Sequence, residues 1–132
     1  MKTSLYHIQL NVSDANKSLP FYKELFEYLE YKIIDESPEH IGVSNGSTDF
    51  WIIETGSSYK QADFNRKNTG INHLAFNVGS KENVDKFYEE FLKVRGTSIL
   101  YDSPKIFHEY SPSYYAVFFE DPDRIKLEVM CK

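Results

Sequence analysis

The sequence predicts an α+β fold of two tandem βαβββ modules forming a curved mixed sheet, and two observations within its 132 residues lead there. A shift of 66 positions lays "INHLAFNV" (71–78) over "LYHIQLNV" (5–12) and also lays "FYEEFL" (87–92) over "FYKELF" (21–26). Farther on, a shift of 74 lays "DRIKLEV" (123–129) over "DFWIIET" (49–55) and sets Glu128 on Glu54. One offset satisfied by separate segments marks a duplicated structural unit. The difference between the two offsets fits a longer aromatic loop around "DSPKIFHEYSPSYY" in the second half.

The elements follow in order. Residues 5–12 alternate, with Tyr6, Ile8, Leu10 and Val12 on one face and His7, Gln9 and Asn11 on the other, as in a strand with unlike faces. Ser13 or Asp14 opens a turn, and Leu19, Tyr22, Leu25, Phe26 and Leu29 recur at helical spacing. Pro20 is placed in that helix's first turn, where a missing N–H does little harm. Strands over 31–36, 40–45 and 49–55 are set apart by "SPE" and "NGS" turn signals. The second half repeats the plan, with a strand over 71–78, a helix over 81–94 stopped by Gly96, and strands over 97–101, 114–119 and 124–130. The modules therefore span 1–56 and 71–132, joined by a polar connector over 57–70.

Composition excludes several function classes. The net charge is -5 and no basic stripe can track successive phosphates, so nucleic acid is not a partner. No apolar run reaches bilayer length, and "MKTSLYHIQL" lacks the features of a signal peptide, which places the protein in the cytoplasm and away from membranes. Cys131 is the only cysteine, so neither an internal disulfide nor a CxxC metal knuckle can form.

The helices must cover the apolar strand faces, so His7 and His73 look away from them. Ile125, Leu127 and Val129 put Glu128 on the helix-distal face with Lys126, and the repeat carries Glu54 to the matching place, opposite Trp51 and Ile53. Trp51 is assigned to the core. Two imidazoles and two carboxylates suit a first-row divalent ion with room for substrate oxygens.

"YHIQLNVSD", "INHLAFNV" and "FFEDPDRIKLEV" resemble the vicinal oxygen chelate superfamily of glyoxalase I, fosfomycin-resistance thiol transferases, bleomycin-binding proteins and extradiol dioxygenases. The resemblance covers the whole chain. It implies a cupped sheet around a metal cleft, with His7, His73, Glu128 and Glu54 as ligands of one divalent ion, whether Ni, Co, Zn, Mn or Fe. The implied activity is that of a glyoxalase I-type lyase or isomerase, in which the metal stabilises an enediolate of a small oxygenated substrate. Glu128 is then the base and Glu54 its partner. Asn11 stands where bacterial glyoxalases usually carry an arginine that grips glutathione, so the thiol differs or is absent. Arg66 and Lys126 are candidates for the substrate's anionic groups, and Tyr110 and Tyr114 for a lid that excludes water. The alternatives are an extradiol-type dioxygenase using two histidines and one carboxylate, a thiol transferase, and a metal-free binding protein of the bleomycin-resistance kind. A homodimer with shared sites completes the expectation.

Overall fold

The computed structural model describes residues 1–132 and divides into two compact units, Met1–Asp63 and Phe64–Lys132. Each is a βαβββ module with its own four-stranded mixed sheet, as the repeat predicts. No helix is long and apolar enough to cross a membrane.

The first unit runs β1 (His7–Val12), α1 (Ala15–Tyr28), β2 (Lys32–Glu36), β3 (His40–Ser44) and β4 (Asp49–Glu54). Its sheet order is β1-β4-β3-β2, with β1 and β4 parallel and the rest antiparallel. Asp14 caps α1 by accepting the backbone N–H of Asn16 at 3.0 Å, which satisfies one of the donors a helix start leaves open. The helix buries Leu19, Tyr22, Leu25 and Phe26, and the Phe26 ring lies 4.9 Å from that of Phe50 on β4. Pro20 is the sixth residue of α1, beyond the first turn assigned to it. It sits on the exposed side, where water can take the carbonyl that a proline nitrogen cannot serve.

The second unit runs β5 (His73–Asn77), α2 (Lys81–Phe87), a π-helical turn over Tyr88–Leu92, β6 (Ile99–Ile106), β7 (Tyr115–Glu120) and β8 (Lys126–Cys131). Its order is β5-β8-β7-β6, the counterpart of the first sheet. The Ser80 hydroxyl caps α2 at the N–H of Asn83, and Val84, Phe87, Phe91 and Leu92 turn inward. Gly96 ends the segment at φ 62°, a left-handed conformation that glycine takes without a Cβ clash. The "EDPD" turn before β8 is held by buried Asp121, whose carboxylate accepts the N–H of Asp123 at 2.9 Å and of Ile125 at 2.7 Å. β6 is longer than the predicted 97–101 strand: its register shifts between Leu100 and Lys105, and pairing with β7 then resumes. Much of the predicted long loop is thus a bulged hairpin.

Candidate functional site

In the second unit β5 and β8 are parallel, with His73 opposite Lys126 and Ala75 opposite Glu128. Partnered residues share a face, so His73, Lys126 and Glu128 all project from the side that α2 does not cover. Glu128 is also opposite Phe118 of β7. A polar sheet face would ordinarily be wet, but here the turn between β6 and β7 folds over it. Phe107, Ala116, Phe118 and Met130 form a buried apolar cluster with Leu100 and Tyr114 against it. The Glu128 carboxylate is left 1% exposed. Its Oε1 accepts the Tyr114 hydroxyl at 2.8 Å, and its Oε2 lies 3.1 Å from His73 Nε2.

Burial sets the electrostatics of this cluster. Desolvation raises the Glu128 pKa, with the Tyr114 hydrogen bond and the Lys126 charge acting the other way. Burial also pushes the Tyr114 phenol well up, helped by the carboxylate it bonds. His73 is shifted down, first by burial and then by Lys126. Burial therefore opposes the charged forms of both partners in the His73–Glu128 contact. Lys126, only 8% exposed, has its ammonium 5.4 Å from the Phe118 ring centroid and 5.6 Å from that of Tyr101, so aromatic faces offset part of its lost hydration. On the outer side of His73, Nδ1 is 2.9 Å from Asn72 Oδ1, and Asn72 Nδ2 donates to the Arg66 carbonyl at 2.9 Å.

The first unit has a different outcome on the matching face. β1 and β4 pair with His7 opposite Asp49 and Val12 opposite Glu54. Phe50 and Ile52 are buried, while Trp51 and Ile53 are partly exposed on the face of His7 and Asn11. This corrects two expectations. Trp51 is not on the helix-covered side, and Glu54 shares the parity of Phe50 and Ile52 rather than that of His7. It also lies five residues along the strand pair from His7, about 16 Å at the usual rise per residue. Its carboxylate pairs with Lys60. The offset implied by registry is 77, since His7–Asp49 corresponds to His73–Lys126, and the counterpart of Glu128 is Trp51. "FWII" is apolar at every position, so alternation could not show which pair turns inward.

The other candidates are dispersed. Asn11 is exposed and accepts a hydrogen bond from Gln9. Arg66 is bound to Glu120 at 2.6 Å and lines a cavity of about 280 Å³ with Phe64, Asn65, Lys67 and Arg124. Tyr110 is largely exposed, stacked on Phe107 and edge-on to Tyr114. Two residues of the site escape the sequence reading. Phe118 is its floor, concealed within the apolar run "AVFF". Asn72 supports His73, and its one signal is a polar side chain immediately before a histidine.

Of the four ligands expected of a metal centre, His73 and Glu128 fit: a nitrogen and an oxygen donor are adjacent, and the second is a buried carboxylate. Glu54 does not fit. No cluster of three or more His, Cys, Asp or Glu side chains suited to an ion forms.

Known proteins bear on this arrangement. The family described as Glyoxalase/Bleomycin resistance protein/Dioxygenase superfamily matches residues 4–129. The uncharacterised protein YqjT of Bacillus subtilis (strain 168) is 33% identical over 126 residues, covering 96% of this chain and 97% of its own length. A crystal structure from Bacillus halodurans, of a protein put forward as a glyoxalase, aligns with TM-score 0.88 at 36% identity, covering 97% of this chain and 95% of that one. The fosfomycin resistance protein FosX of Listeria monocytogenes has the same fold, with TM-score 0.66 at 23% identity over 100% of this chain and 93% of that one.

Proposed function

This chain belongs to the glyoxalase/bleomycin resistance protein/dioxygenase superfamily, and from that premise we propose a divalent-metal-dependent enzyme of the lyase or isomerase type acting on a small oxygenated substrate. The observation that carries the reading is the buried Glu128 carboxylate, 3.1 Å from His73 Nε2 and steadied on its other oxygen by Tyr114. Such a donor pair suits a first-row ion such as Ni, Co, Zn, Mn or Fe. An ion held by His73 and Glu128 would polarise substrate oxygens and favour loss of a proton from a neighbouring carbon.

The chain's own residues then have separate tasks. Glu128 takes and returns the proton, and a carboxylate whose pKa is raised by burial is better matched to that work near neutral pH than a solvated one. Tyr114 fixes the orientation of the carboxylate through Oε1. Phe107 and Tyr110, stacked beside Tyr114, keep water from the buried side. Lys126 presents a cation on the same face for an anionic group of the substrate. Arg66 and Asn11 belong to the reading as outer substrate contacts, Arg66 through the cavity it lines. Glu54 has no role in it.

The loss of Glu54 favours a second reading. With Trp51 in the place that matches Glu128, the donors retained from the sequence reading are two histidines and one carboxylate, the set associated with the dioxygenase alternative. A third reading, a metal-free binding protein, is favoured by the direct contacts of Glu128, since its carboxylate already has Tyr114 and His73 as neighbours.

The deciding experiment is metal analysis of protein purified without chelator, followed by turnover of methylglyoxal with several low-mass thiols. The metal-dependent reading expects a bound first-row ion, a higher melting temperature on adding Ni, Co, Zn or Mn, and loss of retention in His73→Ala and Glu128→Ala. His7→Ala in the same assay reads whether the first unit's imidazole belongs to the donor set. An ion-free protein with an unmoved melting temperature would give the case to the binding module. Superfamily members often form dimers. We propose a homodimer here too, and a monomeric mass by light scattering at micromolar concentration would refute it.

A further inference from the structure

We propose that Asn72 is a positioning residue that presets the His73 tautomer, keeping the proton on Nδ1 and aiming the Nε2 lone pair at Glu128. The Arg66 backbone carbonyl can only accept, so the atom of Asn72 lying 2.9 Å from it must be the NH₂ nitrogen. That settles which way the amide points. Its carbonyl oxygen therefore faces His73 Nδ1, also at 2.9 Å, and an oxygen that can only accept requires an N–H there. In the neutral ring the other nitrogen then carries a lone pair.

The consequence appears on the inner side. Nε2 meets Glu128 Oε2 at 3.1 Å. With the proton held at Nδ1 and the carboxylate ionised, two acceptors face each other in a buried place, which is unfavourable unless a proton or a cation joins them. A histidine without Asn72 could relieve this by moving its proton to Nε2 and donating to Glu128. That form satisfies the carboxylate and closes the nitrogen to a metal. Asn72 opposes it, as the outer hydrogen bond of a ligating histidine generally does. Arg66 thus acts on the site through its main chain, whatever its guanidinium does at Glu120.

This inference rests on the metal-dependent reading only for its affinity arm, and its primary readout needs no metal. Two-bond ¹⁵N–¹H correlation spectra of the metal-free chain, with His73 assigned by the signals lost in His73→Gln, report the tautomer of the neutral ring. The parent is expected as Nδ1–H. Asn72→Ala is expected to move toward Nε2–H, whereas Asn72→Asp, which keeps an acceptor beside Nδ1, restores the parent form. In parallel, cobalt titration is expected to show affinity falling about 10- to 100-fold in Asn72→Ala, with recovery in Asn72→Asp. An Nε2–H parent, or an Asn72→Ala spectrum unchanged from the parent's, overturns the proposal. If the parent binds no cobalt, the metal-dependent reading fails while the tautomer spectra still decide this one.

Discussion

The two units share a scaffold, and the difference that bears on chemistry lies at one strand pair. In the first, Gly42 of β3 stands opposite Trp51 of β4; in the second, Phe118 of β7 stands opposite Glu128 of β8. The large and the small side chain have changed places. Gly42 lets the Trp51 ring lie against the backbone: a Cβ built there would lie 2.8 Å from the ring, which would have to shift. Where the ring sits on the middle strand, it occupies the position from which a carboxylate would project. Where it moves to the neighbouring strand, the middle strand is free to present Glu128, and the ring becomes the floor beside it. Both copies place an aromatic ring in this strand pair, yet only the second presents a carboxylate beside it. The aromatic ring stands on opposite strands of the pair in the two copies, and what the strand beside it can present changes accordingly.

The largest effect that would break this comparison is expected from Phe118→Ala. The ring is buried and contacts Phe107 at 5.0 Å and His73 at 5.9 Å between centroids. Removing it should cost about 3–5 kcal/mol by urea unfolding, the usual range for a buried aromatic. It should also let water reach Glu128. A loss under about 1 kcal/mol would show that the cluster is not the packed floor described here.

Gly42→Ala should cost less, about 1 kcal/mol, because the tip of Trp51 faces a partly open side and can shift. The sharper form of the test is coupling. In a Trp51→Val background the added methyl meets no ring, so the cost of Gly42→Ala should vanish. Additive penalties in the double variant would mean that the glycine is required for its backbone instead.

These pairs also mark where the sequence was legible. The duplication, both βαβββ plans and the face shared by His73, Lys126 and Glu128 could be read because "RIKLEV" alternates cleanly. "FWII" does not alternate, so nothing local fixed which of its residues face the helix, and an alignment by the final glutamate displaced the repeat by three positions. Hydrogen-bond register, a property of two strands together, decides it. Tyr114 was legible as a lid residue from its place in an aromatic segment, but its bond to Glu128 depends on a hairpin bulge that no periodicity reveals. Asn72 was illegible for a similar reason, since its meaning lies in an Arg66 carbonyl six residues away.

A smaller effect, in pH rather than midpoint, sharpens the electrostatic side. The folded-state pKa of Glu128 is raised above its ordinary value, so the folded chain binds that proton more tightly than the unfolded chain does. This stabilisation is complete below the unfolded pKa, about 4.3, and is lost as pH rises through the folded value. His73 has the opposite sign: its lowered pKa favours the neutral ring, and its contribution is lost as pH falls below about 6.5. Glu128→Gln should therefore remove the decline on the alkaline side of the melting profile of metal-free protein and leave the acid-side decline in place. A parallel offset of the two profiles at all pH values would count against a carboxylate strained by burial.

The smallest effect is expected where the repeat alignment had placed a fourth ligand. Glu54 is at the end of β4, on the parity of Phe50 and Ile52, with its carboxylate 2.5 Å from the Lys60 ammonium and both side chains partly in solvent. A pair of that kind contributes about 0–1 kcal/mol. Glu54→Gln should accordingly change stability by no more than that and leave metal content per chain unaltered. Glu128→Gln, which keeps size and shape but removes the charge, should lower metal content under the same conditions. The contrast between two chemically identical substitutions isolates position as the variable: one carboxylate ends on the helix-covered parity beside a lysine, the other lies beneath a tyrosine next to an imidazole. Equal losses of metal from both variants would restore Glu54 to the donor set and overturn the face assignment made from strand register.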